Sequence, residues 1–261
     1  MPHLELTHPR PEITVVTLNR PDKLNALSHE LVEELHAAID DIAASDECRV
    51  VVLTGAGRGF CSGLDLTDLD SPRAGSDLEF PRSGMRWQER IADLTARIHL
   101  LRQPVIAAVN GPAYGGGLGI AAACDIRLAS TSARFCTQFI KLGLGGCDIG
   151  VSYTLPRIIG AGPAFDMILT ARVVDAEEAL RLGLVTRLSE DSGLLEDALA
   201  IAETLCGYGE FGLESTKQVL WANLEAPSLE AALHVENRSQ ILASTGGTVA
   251  RFSEEFRRRQ R

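Results

Sequence analysis

The sequence predicts an α/β fold, a layered core followed by a helical C-terminal region, on three observations. Strand and helix signals alternate through the first two thirds of the chain, the arrangement that buries a sheet beneath helices. Past about residue 149 nearly every apolar stretch repeats at the helical period. Two glycine-rich turns each follow a β-branched or apolar run, the position at which α/β sheets hold ligands. The division is set at residues 1–195 for the α/β core and 196–261 for the helical part.

In order, residues 13–18 read as a strand and Asn19-Arg20-Pro21-Asp22-Lys23 as a turn. Ser28 suits the N-cap of an amphipathic helix through Ala44, with Leu31, Leu35, Ile39 and Ile42 on one face. Residues 49–53 form a β-branched strand closed by Thr54-Gly55. Residues 67–84, rich in Asp, Ser, Pro and Gly, read as a mobile excursion, and Phe80, Met85 and Trp87 in or near it suggest an apolar lid. A helix over 87–101, a buried strand over 104–110 and a short strand over 125–129 complete the alternating part. Helices are then expected over 176–182, 194–206, 213–224 and 228–242.

With 45% apolar and 23% charged residues, the 261-residue chain has ample material for a core. No apolar run approaches the roughly 20 residues that span a bilayer, and Met1-Pro2-His3-Leu4-Glu5 lacks the blocks of a signal peptide, so a cytoplasmic location is expected. A net charge of −10 argues against a general nucleic-acid binder. The closing Arg257-Arg258-Arg259-Gln260-Arg261 reads as a solvated helix end or a local phosphate-attracting patch. Six scattered cysteines, without CxxC pairs or zinc-spaced histidines, read as reduced packing residues, and no metal is expected.

The chemistry concentrates in two turns. Gly59-Phe60-Cys61-Ser62-Gly63-Leu64-Asp65-Leu66 follows the strand 49–53, and Ala113-Tyr114-Gly115-Gly116-Gly117-Leu118-Gly119 follows the strand 104–110. If the strands are neighbours, both turns open at one edge of the sheet. Two N–H groups converging there form an oxyanion hole, in which one donor is worth about 3–4 kcal/mol. Gly55-Ala56-Gly57-Arg58-Gly59 does not make a dinucleotide site, because its third glycine is misplaced and no second strand with an acid follows.

These residues resemble the crotonase, or enoyl-CoA hydratase/isomerase, superfamily over residues 4–252. The resemblance is carried by Asn19-Arg20-Pro21 with Leu24-Asn25-Ala26-Leu27, the 59–66 turn and Pro104-Val105-Ile106-Ala107-Ala108-Val109-Asn110-Gly111. The run from Gly115-Gly116-Gly117 to Cys124-Asp125-Ile126-Arg127 and residues 179–185 complete it. It implies a crotonase-like spiral of ββα units with a helical C-terminal trimerisation region, assembled as a homotrimer or dimer of trimers. It implies an acyl-CoA thioester as substrate, with no cofactor beyond the coenzyme A that the substrate carries. By motif, the backbone N–H groups of Leu64 and Gly116 would form the oxyanion hole. Lys23, Leu24, Ala26, Ser62, Gly63, Leu64, Asp65 and Leu66 would line the CoA and pantetheine path, and Gly115, Gly116 and Phe139 would complete the substrate contacts. Asp65 is expected to hold its turn rather than react.

The chain also departs from the hydratase pattern. The two hydratase glutamates fall at Gly119 and Phe139, neither of which moves a proton. The remaining candidate is Asp148, in a loop where dienoyl-CoA isomerases, chlorobenzoyl-CoA dehalogenases and naphthoyl-CoA synthases carry a working aspartate. One extra residue separates it from Phe139 in this register. Asp148 also suits the N-cap of a helix starting near Ile149. Gly117-Leu118-Gly119-Ile120 and Ser152-Tyr153 look closest to the dehalogenases, but their histidine falls at Ala92. Glu89 and Asp93 sit on a helix that could reach the pocket or face solvent. His36, His99 and Cys147 read as structural. The resulting expectation is an enolate-stabilising enzyme with Asp148 as proton shuttle, favouring double-bond isomerisation over hydration. The alternatives are a non-catalytic acyl-CoA binder and a thioester or C–C hydrolase.

Overall fold

The computed structural model describes residues 2–68, 81–245, 253, 257 and 258. A hairpin of β1 (Leu4–Arg10) and β2 (Ile13–Leu18) leads through the Ser28-capped α1 (His29–Ala44) to β3 (Val50–Gly55). Next come α2 (Arg82–Leu100), β4 (Val105–Val109), β5 (Pro112–Tyr114) and α3 (Gly116–Ala123). β6 (Ile126–Ser130), β7 (Arg134–Cys136), α4 (Val151–Ile159), α5 (Ala161–Thr170) and β8 (Val174–Asp175) follow. The chain continues with α6 (Ala176–Leu182), β9 (Arg187–Ser189), α7 (Leu194–Cys206), α8 (Glu210–Asn223) and α9 (Leu229–Thr245).

The larger sheet runs β1-β2-β3-β4-β6-β9, antiparallel only at the β1/β2 hairpin, and β5-β7-β8 form a smaller sheet. Successive strands alternate between the sheets, β4 then β5, β6 then β7, and a helix closes each turn. Strand alternation divides the apolar residues between two cores. Val16, Leu18, Val51, Leu53, Ala107 and Val109 face α1, α2 and α3, while Ile13, Val15, Val50, Val52, Ile106 and Leu128 face α7. Burial on both faces explains why these strands read as unbroken apolar runs.

Several boundaries differ from the sequence reading. The strands expected over 49–53, 104–110 and 125–129 lie at Val50–Gly55, Val105–Val109 and Ile126–Ser130. The helix expected over 87–101 begins earlier, at Arg82, and the helix expected over 213–224 begins at Glu210. Of the expected excursion over 67–84, residues 69–80, Phe80 among them, lie outside the described residues. Met85 is exposed, and Trp87 packs against the main core with its ring 3.8 Å from that of His29. Arg257 and Arg258 are exposed, and the rest of the basic tail lies outside the described residues.

α8 is pinned to the core by a buried polar cluster. Lys217, 5% exposed, donates to Asp125 at 2.9 Å and to the Gln103 carbonyl at 3.0 Å. Asp125 also accepts from the Trp221 indole at 2.7 Å and the Val105 N–H at 2.7 Å.

Candidate active site

β3 and β4 are parallel neighbours, with Leu53 paired to Ala107, so the turns beyond them open at the same edge of the sheet. The first turn is held by Asn25, which is fully buried and left-handed (φ 56°). Its amide nitrogen donates to the Gly59 and Ala56 carbonyls at 2.7 and 3.0 Å, while its oxygen accepts the Arg20 N–H at 2.8 Å. Asp65 fixes the far end of the turn, accepting from Arg20 at 2.8 Å and from the Thr67 hydroxyl at 2.6 Å. Burial pushes the Asp65 carboxyl up, but the Thr67 and Arg20 hydrogen bonds outweigh it and hold the group below its ordinary value. These bonds tie the Asp65 carboxylate to its own turn and to Arg20.

Extended backbone then orients Leu64. The Leu27 N–H donates to the Gly63 carbonyl at 2.7 Å and the Asp65 N–H donates to the Leu27 carbonyl at 3.0 Å. Alternation along a strand therefore turns the Leu64 N–H away from Leu27, to the side where Leu64 lines a cavity. Gly116 opens α3, where the first N–H groups of a helix have no intrahelical acceptor. Among the described residues neither N–H has an acceptor.

The two turns touch, and glycine permits it. A Cβ on Gly63 would lie 2.8 Å from the Tyr114 carbonyl oxygen and 3.4 Å from the Gly116 nitrogen. One on Gly117 would lie 2.1 Å from the Cys61 carbonyl oxygen.

The resulting cavity of about 350 Å³ brings together Lys23, Ala26, Ser62, Gly63, Leu64, Asp65, Leu66, Gly115, Gly116, Phe139 and Asp148. Leu24 is the exception. Its backbone is left-handed (φ 49°), and its side chain packs instead against Gly59, 3.3 Å from where a Cβ there would stand. The sequence reading missed Gln88, Ile91, Thr67, Leu144 and Ile149 on the lining. Gln88 and Ile91 are three apart on α2, so the spacing that marks Ile91 as inward also marks Gln88. Ile149 has no such signal.

Asp148 is half-buried. Its Oδ1 accepts the Ile149 N–H at 2.6 Å and the side-chain amide of Gln88. Burial raises its carboxyl above the ordinary value against the lowering pull of these bonds. The N-cap expectation is corrected: α4 starts at Val151 with left-handed Gly150 (φ 80°) as its N-cap, and no side chain caps it. Ile149 is also left-handed (φ 44°), a strained conformation for a β-branched residue. Its side chain fills the space beside α3, with Cγ2 2.5 Å from where a Cβ on Gly119 would stand.

The other candidates lie elsewhere. Glu89 is exposed, and Asp93 faces His36 at 3.9 Å. His36 is 1% exposed, hydrogen-bonded to the Arg90 carbonyl at 2.9 Å, with burial holding its pKa below the ordinary value. His99 stacks near Trp221 at 4.2 Å, and Cys147 is exposed. Among the described residues no group of three or more His, Cys, Asp or Glu could hold a metal, and no helix is long and apolar enough to cross a membrane.

Comparison with known proteins gives this site its context. The model of the enoyl-CoA hydratase/isomerase family matches residues 10–250. Probable enoyl-CoA hydratase echA12 of Mycobacterium bovis is 46% identical over 234 residues, covering 90% of this chain and 82% of that protein. Among solved structures, a probable enoyl-CoA hydratase/isomerase from Mycobacterium abscessus superposes with a TM-score of 0.87 at 40% identity, covering 97% and 96% of the two chains. A monofunctional enoyl-CoA isomerase from Mycobacterium smegmatis superposes with a TM-score of 0.74 at 38% identity, covering 89% of this chain and 99% of that one. The chain belongs to the enoyl-CoA hydratase/isomerase family, the crotonase superfamily, and is an acyl-CoA enzyme of the lyase or isomerase type.

Proposed function

We propose that the protein shifts a carbon–carbon double bond along an acyl-CoA thioester, with Asp148 carrying the proton. The observation that carries this reading is the company Asp148 keeps: it lines one cavity with Leu64 and Gly116, and among the described residues the other carboxylate on the lining, Asp65, is tied to Arg20 and Thr67. The thioester oxygen would accept from the N–H groups of Leu64 and Gly116, with the N-terminal dipole of α3 adding to the field. Asp148 takes a proton from the α carbon, and the C–H electron pair becomes the enolate whose charge rests on that oxygen. Return of the proton at the γ carbon moves the double bond from the β,γ to the α,β position. No atom is gained or lost.

Isomerisation is favoured over hydration because a hydratase must also place and activate a water. Position 119 is glycine, and Ile149 fills the space beside it. At Phe139 an apolar ring, 7% exposed, stands on the lining. Lys23 and Ser62 stand at the cavity, where the pantetheine and phosphates of coenzyme A would pass; Ala26 and Leu66 add apolar surface. No separate cofactor takes part, and assembly is as a homotrimer or paired trimers.

The test is a panel of β,γ- and α,β-enoyl-CoA thioesters incubated with protein in D₂O and read by mass spectrometry. Deuterium uptake without a gain of water, lowered about 10²–10⁴-fold in Asp148→Asn, is the expected result. Stoichiometric water addition would make the enzyme a hydratase. Binding without exchange by any thioester would leave an acyl-CoA-binding protein.

A further inference from the structure

We infer that Gln88 is a positioning residue for proton transfer, holding the Asp148 carboxylate so that Oδ2 alone is presented to the substrate. The inference rests on the proposed role of Asp148. Oδ1 already accepts two donors, the Ile149 N–H at 2.6 Å and the Gln88 amide, which approach from different elements. The Ile149 bond comes from the next residue and ties the carboxylate only to its own loop. The Gln88 bond comes from α2, 60 residues away in sequence, and ties it to a second element. The same α2 turn is anchored by Ile91, 7% exposed in the main core, so the donor rides on a packed helix.

Among the described residues, few other charges act on this carboxylate. The other charged groups described on the lining are Lys23 and Asp65, the latter paired with Arg20. On α2, Arg86 and Glu89 are exposed. On the loop before Asp148, Lys141 is exposed with its Nζ 3.9 Å from the Cys136 sulfur, and Cys147 is exposed. Among the described residues, the Gln88 amide is thus the side-chain donor that stabilises the ionised form of Asp148 against its burial.

Gln88 touches Asp148 and need not touch substrate, so its removal acts through the carboxylate. In Gln88→Met, which keeps length and loses the donor, the acid limb of the kcat/KM–pH profile is expected to rise by about one pH unit. kcat is expected to fall about tenfold at neutral pH, with KM within twofold of wild type. Gln88→Glu sets a second carboxylate against the first and should move the limb further in the same direction. Gln88 is exposed, so both variants fold, as a thermal melt verifies. An unmoved limb and unchanged kcat in Gln88→Met overturn the inference while leaving the shuttle standing, provided Asp148→Asn is inactive. Wild-type turnover in Asp148→Asn overturns the shuttle and the role of Gln88 together.

Discussion

Replacing Gly117 with alanine probes the contact that joins the two halves of the site. The added Cβ would stand 2.1 Å from the Cys61 carbonyl oxygen and 2.8 Å from its carbonyl carbon, whereas ordinary contact begins at 3.4 Å. Neither partner is a side chain that can swing aside. The Cys61 N–H donates to the Pro112 carbonyl at 3.0 Å, and its carbonyl accepts the Tyr114 N–H at 2.9 Å. The first turn of α3 must therefore retreat by about 1 Å, carrying the Gly116 N–H with it. Overpacking of this kind costs about 1–3 kcal/mol, partly offset by the better helix propensity of alanine, about 1 kcal/mol. The net cost of up to about 2 kcal/mol should lower the melting temperature by up to roughly 8 °C. A donor displaced by about 1 Å lowers kcat about 100-fold. Differential scanning fluorimetry and initial rates with an enoyl-CoA read both effects. Gly162→Ala in α5, whose Cβ would meet nothing within 4 Å, is the control and should leave both unchanged or raise stability slightly. A Gly117→Ala protein with wild-type melting and kcat would refute the argument that this contact sets the spacing of the two donors.

Asp125→Ala strands the buried ammonium of Lys217, and removing one partner of a buried pair costs about 3–5 kcal/mol; a denaturant midpoint within error of wild type would contradict this. His36 should make folding sensitive to mild acid. Its ring accepts from Arg97 at 3.0 Å, and burial depresses its folded pKa. The unfolded chain thus binds the proton first, and stability present above about pH 6.5 is lost as pH falls toward the depressed value. Urea midpoints from pH 7.5 to 5.5 should decline more steeply in wild type than in His36→Asn. Asp148 should act as a base with a pKa above the ordinary carboxylate value of 3.8; kcat/KM then falls as pH drops through that raised value. A profile flat down to the ordinary carboxylate range would contradict its assignment.

The sequence exposes whatever depends on local pattern. Ser28, Leu31, Leu35, Ile39 and Ile42 lay out α1 from cap to buried face, and the glycines at 63 and 115–117 mark the touching turns. β1 escapes because six of its seven residues are exposed and it contains Pro9, so neither alternation nor apolarity announces it. β5, β7 and β9 are three residues each and owe their form to neighbouring strands. Ile149 escapes for a related reason, since its left-handed backbone is set by its packed surroundings. Gln88 shares the spacing of Ile91, and what goes unannounced is its hydrogen bond across to Asp148.

The position of α7 constrains how the chain reaches its native state. The sheet face made by Ile13, Val15, Val50, Val52, Ile106 and Leu128 is covered by Leu194, Ala198 and Ala202. Those residues are synthesised long after the strands. At about 5–20 residues per second, the interval between the emergence of β3 and that of α7 is on the order of 7–30 s. Until α7 arrives, the face of the nascent sheet that it covers stays bare and apolar, even after α1, α2 and α3 have covered the other. During synthesis this surface is exposed to self-association, and truncations that remove α7 should aggregate even though the described residues lining the candidate cavity are intact.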